Sequence, residues 1–358
     1  MAADFLRNIR VLDLSQYIPG PFATRQLADL GADVIKIEPP QGDPMRFFGM
    51  PAADENTLSP VYTHLNRGKR ILKLDLKVAE GIAVFERLLA DADVLLESFR
   101  PGVLVRLGFD RKRLAELNPG LVHCALSGFG QTGVYRDRGG HDLTYCAVGG
   151  ALSSADTQRQ PMLPFPPLAD HAGAMQASNT ILAALLGKAS GTSSQGAFLD
   201  ISLCESALSW QYLQLSGAAD LELLLTGGSA SYNVYQTADH RFVVFAGLEY
   251  KFWKAFCQAV ERPDWLGRQQ EPLPQTDLIA EVKQLFAAKP LKHWQTLLSG
   301  VDCCFEPVPL LNEVSQHQQL QQRQMLSAAE PAYPGWINAE PVVTTQQMAE
   351  VESAEWRV

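Results

Sequence analysis

Hydrophobic and polar positions up to about residue 210 alternate between the period of β-strands and the period of α-helices. Short apolar or alternating runs predict strands at residues 9–14, 33–38, 70–76, 93–97, 121–127 and 197–203. Helical spacing predicts helices at residues 21–30, 78–90, 170–186 and 205–216. Gly31 directly follows the first of these helices, at a position where glycine often ends a helix. This succession predicts an α/β fold with a large, mostly parallel sheet and flanking helices.

The pattern changes beyond about residue 210. The small residues of the run TGGSAS, at residues 226–231, predict a flexible connection. Later elements are predicted as a hairpin and three helices, at residues 232–246, 249–260, 278–287 and 291–299. We therefore expect a large α/β domain at residues 1–210, which the C-terminal residues 325–358 complete. A linker at residues 211–230 would connect it to a smaller α+β domain at residues 231–324.

Composition favours a folded protein of the cytoplasm. Apolar residues make up 46% of the chain and charged residues 19%, which is normal for globular domains. No apolar run approaches the roughly 18 residues that a membrane-spanning helix needs, so no membrane association is expected. The N-terminal run MAADFLRNIR lacks the apolar stretch of a secretory signal. The six cysteines contain no CxxC pair, which is typical of reduced thiols in a cytosol.

The net charge of −9 argues against binding to nucleic acid. Local basic clusters still allow an anionic ligand, and one such cluster contains Arg67, Lys69 and Arg70. A solvated surface face explains that cluster equally well.

One glycine-rich motif resembles a dinucleotide-binding sequence but lacks its context. The segment SGFGQTG at residues 127–133 contains GxGxxG directly after a predicted strand. A dinucleotide site requires a helix to open at that loop, and the nearby pair Gly139-Gly140 makes a helix there unfavourable. We therefore interpret the segment as a glycine loop beside an active site. The sequence contains no HExxH, no P-loop and no zinc-type spacing of cysteine and histidine, so no metal is expected.

Three side chains are candidates for chemistry, and each also has a simpler structural explanation. Asp170 ends the segment PPLAD and lies in the first turn of a long predicted helix, where aspartate is a favoured cap. His141 lies in the segment GHD, and an isolated histidine is more often structural than catalytic. Glu249 stands at the head of a predicted helix, which is again a capping position.

Several segments, in the same order, resemble the class III CoA-transferase (CaiB/BaiF) superfamily. They are VLDLSQYIPGPFATRQLADLGADVIKIEPPQGDPMR at residues 11–46, NRGKRILKLDLK at 66–77, ADVLLESFRPGVLVRLGF at 92–109, LNPGLVHCALSGFGQTG at 117–133 and the PPLAD helix. The segment GHDLTY at residues 140–145 is similar to the form in the α-methylacyl-CoA racemases of that superfamily. The resemblance implies an interlocked homodimer, an acyl-CoA substrate that carries coenzyme A, and no prosthetic group.

The resemblance also implies roles for the three candidates. In a racemase, Asp170 and His141 would exchange protons on opposite faces of the thioester α-carbon. Glu249, supplied by the partner chain, or Asp142 would orient and stabilise His141. Backbone amides at the start of the Asp170 helix would stabilise the enolate oxygen.

The resemblance implies that coenzyme A binds along the strand predicted at residues 70–76 and just after the strand predicted at 93–97. The residues concerned are Ile71, Leu72, Lys73, Leu74, Ser98, Phe99, Arg100 and Arg106. Racemisation is the first expectation. The alternative is a CoA-transferase of the formyl, carnitine or dicarboxylate type, in which Asp170 attacks the thioester to form an anhydride and then a CoA thioester. A CoA-ester-binding protein without turnover is a third possibility.

Overall fold

The structure is a computed structural model and describes residues 3–50, 57–153, 161–327, 330–344 and 346–356. The chain divides into two compact units. The smaller unit contains Gln211–Leu320. The larger unit contains the described residues before residue 154, those of Met162–Trp210 and those after Leu320.

The two units together contain the following strands and helices in the described residues. The strands, in chain order, are β1 (Arg10–Asp13), β2 (Asp33–Glu38), β3 (Arg70–Lys73), β4 (Val94–Glu97), β5 (Val122–Ser127), β6 (Ala197–Ser202), β7 (Tyr232–Gln236), β8 (Phe242–Ala246), β9 (Phe305–Pro307), β10 (Leu326–Ser327), β11 (Glu330–Pro331), β12 (Trp336–Ile337), β13 (Glu340–Pro341) and β14 (Ala349–Val351). The α-helices are α1 (Pro19–Asp29), α2 (Pro60–Asn66), α3 (Ala79–Ala90), α4 (Val103–Arg106), α5 (Arg111–Leu117), α6 (Asp142–Val148), α7 (Leu168–Ala189), α8 (Leu203–Ser209), α9 (Tyr212–Leu215), α10 (Ala219–Leu223), α11 (Tyr250–Ala259), α12 (Thr276–Ala287), α13 (Leu291–Leu298) and α14 (Gln318–Gln322). Helical turns of other types occur at Pro44–Phe47, Leu224–Gly228, Pro263–Gln270 and Leu311–Gln316.

A seven-stranded sheet with the order β14-β3-β2-β1-β4-β5-β6 forms the centre of the larger unit. Each neighbouring pair in it is parallel, and Val11 of β1 lies between Val34 of β2 and Val94 of β4. The predicted α/β fold with a mostly parallel sheet is therefore confirmed. The strand order reverses between β1 and β4, which is where ligands bind in open α/β sheets.

The centre of this sheet is buried on both faces, and β2, β4 and β5 are buried at every position. On one face, Val11 and Leu96 belong to a core that includes residues of α1, α7 and α8. On the other, Leu12 and Leu95 belong to a core that includes residues of α3, α4 and α5. Because adjacent residues of a strand point to opposite faces, the central strands β1, β2 and β4 contribute to both cores.

Buried charges fix the segment that follows β1. The carboxylate of Asp13 accepts a hydrogen bond from Lys69 Nζ at 3.1 Å and another from the amide of Ser15 at 2.9 Å. Burial opposes the charged form of Asp13, but Lys69 and then Lys36 outweigh it and hold its pKa at about 2. Lys36 Nζ also donates to the Ser15 carbonyl at 2.8 Å and to Asp43 at 2.7 Å. The backbone at Ser15 is therefore held by two buried charged groups.

The smaller unit is built on an antiparallel sheet with the order β7-β8-β9. The rings of Trp253 and Trp265 stack with their centroids 6.3 Å apart, and Phe256 and Phe286 stack at 5.8 Å. Glu249 directly precedes α11 in this unit.

Some element boundaries differ from the sequence expectations. The strand predicted at residues 70–76 ends at Lys73, because Asp75 then accepts the amide of Lys77 at 2.9 Å and turns the chain. The helix predicted at residues 205–216 is interrupted, since α8 ends at Ser209 and α9 begins at Tyr212. Within the described part of residues 325–358, β14 adds an edge strand beside β3. No helix in the described residues is both long and apolar enough to cross a membrane.

Candidate active site

A cavity of about 420 Å³ opens at the carboxyl ends of β1, β4 and β5 in the larger unit. Its walls include Gln16 and Tyr17 after β1, Ser98–Arg100 after β4, and the glycine-rich segment after β5. His141 and Asp170 both line it. The fold therefore brings these two candidates, which are 29 residues apart in sequence, into one cavity beside the point where the strand order reverses.

Asp170 lies in the first turn of α7 but does not cap the helix. Pro167 occupies the cap position, and the amide of Asp170 donates to Asp142 Oδ1 at 3.0 Å. The carboxylate of Asp170 has no hydrogen bond or ion pair within the described residues. Burial, followed by the negative charge of Asp142, raises the pKa of Asp170 to about 7. A carboxyl group with this pKa can exchange a proton near neutral pH.

The same hydrogen bond bears on the amides at the start of α7, which were expected to stabilise an enolate oxygen. The Asp142 carboxylate accepts the amide of Asp170, so that one amide of the first turn already has a partner. The second oxygen of Asp142 accepts from the thiol of Cys146 at 3.6 Å. No hydrogen bond joins Asp142 to the imidazole of His141 in the described part of the chain.

His141 is the residue that immediately precedes α6. Its amide donates to the hydroxyl of Thr144 at 3.0 Å, which fixes its backbone at the start of the helix. The imidazole is exposed and meets the ring of Tyr17 edge-on, with the centroids 6.0 Å apart and an interplanar angle of 79°. No hydrogen bond to a ring nitrogen of His141 is found among the described residues, and the residue lines the cavity.

Tyr145 joins the glycine loop to the GHD segment. A Cβ atom on Gly128 would lie 2.4 Å from its ring, and a Cβ on Gly140 would lie 2.6 Å from it. The phenol donates to the carbonyl of Gly140 at 2.5 Å. Burial, and then the charge of Asp170, raises the pKa of Tyr145 to about 12, so the phenol keeps its proton. Only glycine leaves enough space for this ring at both positions.

Three of the residues predicted to contact coenzyme A also line the cavity. The hydroxyl of Ser98 accepts the amide of Gln16 at 3.1 Å, and the amide of Phe99 donates to Glu97 at 2.7 Å. The guanidinium of Arg100 lies 2.6 Å from the place where a Cβ on Gly139 would be. This segment is therefore part of the same wall as the GHD backbone.

Other predicted residues lie elsewhere. Ile71 and Leu72 are buried inside the sheet, at 1% and 2% exposure, so only Lys73 and Leu74, at the end of β3 and just after it, are more accessible. Arg106 is exposed at the end of α4. Glu249 is exposed in the smaller unit and its side chain makes no capping hydrogen bond.

Two cationic residues of the cavity were missed in the sequence. Arg136 and Arg138 line it, and the guanidinium of Arg138 lies over the ring of Tyr135, 4.0 Å from the ring centroid. Both lie in the run YRDRGG at residues 135–140, which ends in the pair Gly139-Gly140 and contains no known motif. Together with Arg100 they give the cavity three guanidinium groups, which suit phosphates.

The structure gives no helix at the GxGxxG segment. After β5 the chain runs through turns until α6 begins at Asp142. The geometry of a dinucleotide-binding loop is therefore missing there. No group of three or more His, Cys, Asp or Glu side chains suited to a metal ion occurs among the described residues.

Comparison with known proteins now gives the family. The sequence profile described as CoA-transferase family III matches residues 6–355. The chain belongs to this family. It is 33% identical to the α-methylacyl-CoA racemase of Mus musculus over 336 residues, which cover 89% of this chain and 81% of that protein. The resemblance of the sequence segments to the class III superfamily is thus confirmed, and the named relatives are enzymes.

Other similar proteins are named as CoA-transferases. The succinate–glutarate CoA-transferase of Agrobacterium fabrum (strain C58 / ATCC 33970) is 37% identical over 260 residues, which cover 69% of this chain and 64% of that protein. Among solved structures, the crystal structure of Rv3272 from M. tuberculosis matches with a TM-score of 0.83 and 26% identity, covering 98% of each chain. The family therefore includes both racemases and CoA-transferases at similar identity to this chain.

Proposed function

We propose that this enzyme of CoA-transferase family III is an acyl-CoA racemase, which moves a proton between the two faces of the α-carbon of a 2-methylacyl-CoA thioester. His141 and Asp170 would be the two acid/base groups. The observation that supports this most directly is that both line one cavity, in which the pKa of Asp170 is raised to about 7.

The chemistry follows from these two groups. One of them removes the α-proton, the thioester oxygen takes up the negative charge of the enolate, and the other returns a proton to the opposite face. Proton transfer is most efficient when the pKa of each group is near the working pH, and each group contributes roughly 10²–10⁴ in rate. A carboxyl group with its ordinary pKa would hold a proton too rarely to serve as the acid.

The coenzyme A part of the substrate would lie along the wall of Ser98, Phe99 and Arg100. Arg100, Arg136 and Arg138 would face its phosphates, with Arg106 and the carboxyl end of β3 extending the contact. No prosthetic group is required by this chemistry. We further propose an interlocked homodimer in which Glu249 of each chain completes the site of the partner chain and orients His141.

A CoA-transferase is the second candidate, because the succinate–glutarate CoA-transferase of A. fabrum is 37% identical to this chain. In that reaction the carboxylate of Asp170 would attack the thioester carbonyl and expel the CoA thiolate, which leaves an aspartyl anhydride. The thiolate would return to the aspartyl carbonyl of the anhydride, releasing the donor carboxylate and giving an aspartyl-CoA thioester. The acceptor carboxylate would then attack this thioester to form a second anhydride, and the expelled thiolate would attack its acyl carbonyl, which gives the new acyl-CoA and restores Asp170. His141 has no required role in this scheme.

The test is deuterium exchange at the α-carbon of a 2-methylacyl-CoA in deuterated water, without any acceptor acid, followed by mass spectrometry. A racemase exchanges one α-hydrogen, and His141→Ala lowers the racemisation rate by at least roughly 10²-fold. Hydroxylamine should not inactivate the enzyme, because no acyl adduct forms on Asp170. Absent exchange, with hydroxylamine inactivation in the presence of acyl-CoA, would favour the transferase instead.

A further inference from the structure

Tyr17 is a large aromatic residue in a backbone conformation that its residue type avoids. Its φ angle is +64°, which lies in the left-handed region. Residues other than glycine, asparagine and aspartate rarely adopt this region. Its side chain is 44% exposed, and its hydroxyl has no hydrogen-bond partner within the described residues. Burial of the ring therefore does not explain why tyrosine occupies this position. Strained residues of this kind concentrate at functional sites.

The surrounding structure imposes this conformation. The amide of Tyr17 lies 3.4 Å from Asp43 Oδ1, and the other oxygen of Asp43 is held by Lys36 at 2.7 Å. Both charged side chains are buried. One residue earlier, the amide of Gln16 donates to the hydroxyl of Ser98 at 3.1 Å. These bonds fix the chain on the N-terminal side of the Tyr17 Cα atom, and on the other side α1 begins at Pro19, with the Ile18 carbonyl accepting the amide of Phe22 at 2.9 Å. The direction of the Cα–Cβ bond of Tyr17 follows.

That direction leads to His141. Both residues line the same cavity, and their rings meet edge-on with centroids 6.0 Å apart. This is the one aromatic contact of the His141 ring within the described part of the chain. Neither imidazole nitrogen is hydrogen-bonded there, and the edge-on contact with the Tyr17 ring restricts how the imidazole turns about its side-chain bonds.

We infer that Tyr17 is a positioning residue, which holds the His141 imidazole in the orientation in which it exchanges a proton with the substrate. The inference rests on the proposed racemase function and adds to it. The buried pair Lys36–Asp43 and the hydroxyl of Ser98 set the backbone, the backbone sets the Tyr17 ring, and the ring sets the imidazole. Misplacement of a catalytic group by about 1 Å can reduce a rate by roughly 10²-fold.

The test uses both enantiomers of a 2-methylacyl-CoA, each incubated separately with the full chain in deuterated water. The initial rate of α-hydrogen exchange is measured for each enantiomer before racemisation. His141→Ala first identifies the enantiomer whose hydrogen faces His141, because exchange of that enantiomer falls most. Tyr17→Gly should then lower exchange of this same enantiomer by roughly 10- to 100-fold and leave exchange of the other enantiomer unchanged.

Two further variants serve as controls. Tyr17→Phe keeps the ring and should keep both exchange rates. His240→Gly replaces another exposed residue with a positive φ, +58°, in the turn between β7 and β8, and should also keep both rates. Tyr17→Gly should fold normally, since glycine adopts a φ of +64° without strain, and circular dichroism checks this.

The failures of the two hypotheses are distinguishable. If the unmodified enzyme exchanges both enantiomers but Tyr17→Gly slows them equally, or slows neither, the positioning role of Tyr17 is wrong and the racemase function stands. If the unmodified enzyme exchanges neither enantiomer, the proposed function fails and the role of Tyr17 fails with it. Loss in Tyr17→Phe equal to that in Tyr17→Gly would assign the effect to the hydroxyl and would also overturn the inference.

Discussion

Replacement of Asp170 by asparagine should stabilise the folded protein, and increasingly so as the pH rises. Burial in the cavity wall, with the charge of Asp142 second, raises the pKa of Asp170 from 3.8 to about 7. In the unfolded chain the carboxyl group ionises near its ordinary pKa, while in the folded protein it stays protonated until about pH 7. The unfolded state therefore loses its proton first, and folding becomes less favourable between these two values.

The size of the effect follows from this shift. A shift of about three pKa units corresponds to roughly 4 kcal/mol at pH values above both pKa values, since one unit is about 1.36 kcal/mol. Below about pH 4 both states hold the proton and this cost disappears. Asparagine has nearly the same shape and does not titrate. Between pH 5 and pH 8, the difference in unfolding free energy between Asp170→Asn and the unmodified protein should grow by roughly 2–3 kcal/mol.

Guanidinium unfolding at pH 5 and pH 8, at one protein concentration, measures this difference. A variant at exposed Asp91, Asp91→Asn, corrects for whatever pH dependence accompanies the loss of any carboxyl group. If the advantage of Asp170→Asn stays constant or shrinks from pH 5 to pH 8, Asp170 is not held protonated by the fold. The argument for its acid/base role from a raised pKa would then be refuted.

Three further variants test other parts of the site and the fold. Asp142→Asn removes the second cause of the raised pKa of Asp170, so the limb of the pH–rate profile that Asp170 sets should move to lower pH while burial keeps it above the ordinary range. This is the acidic limb for the enantiomer on which Asp170 acts as the base, and the alkaline limb for the other. Gly128→Ala places a Cβ 2.4 Å from the Tyr145 ring and should lower the unfolding free energy by roughly 1–3 kcal/mol in a denaturant titration. Lys69→Met leaves Asp13 buried without its nearest cation and should lower the unfolding free energy by roughly 3–5 kcal/mol, again measured by denaturant titration. An unchanged unfolding midpoint would contradict the role given to the Lys69–Asp13 pair.

Periodicity predicted the centre of the parallel sheet well because the strands β2, β4 and β5 are buried at every position. Runs such as VLDL and DVIKIE are almost wholly apolar or enclose buried charges, and such runs have few alternatives to a central strand. The short helices α2, α4 and α5 were missed, since each has seven residues or fewer and is too short to establish a helical period. The edge strand β14 has three residues and forms through its contact with β3, which lies far away in sequence.

The candidate site was predictable only in part from local sequence. Asp170 and His141 are in segments that resemble a known family, and the structure places both in one cavity. Asp142 was expected to orient His141, and its hydrogen bond to the Asp170 amide was not predicted because it joins two helices that lie apart in sequence. Tyr17 carries no sequence signal at all, since a positive φ and a contact with His141 become apparent only once the chain is folded.

The two candidate reactions make different demands on the same cavity. A nucleophilic Asp170 would benefit from a low pKa, which keeps the carboxylate charged, whereas proton transfer benefits from a pKa close to the working pH. This protein buries Asp170, gives it no cation partner in the described residues and adds Asp142 as a like charge. Those three features all act in one direction, toward a protonated carboxyl group. They favour an acid/base role for Asp170. The orientation of His141 then decides whether a proton can also be transferred on the opposite face of the α-carbon.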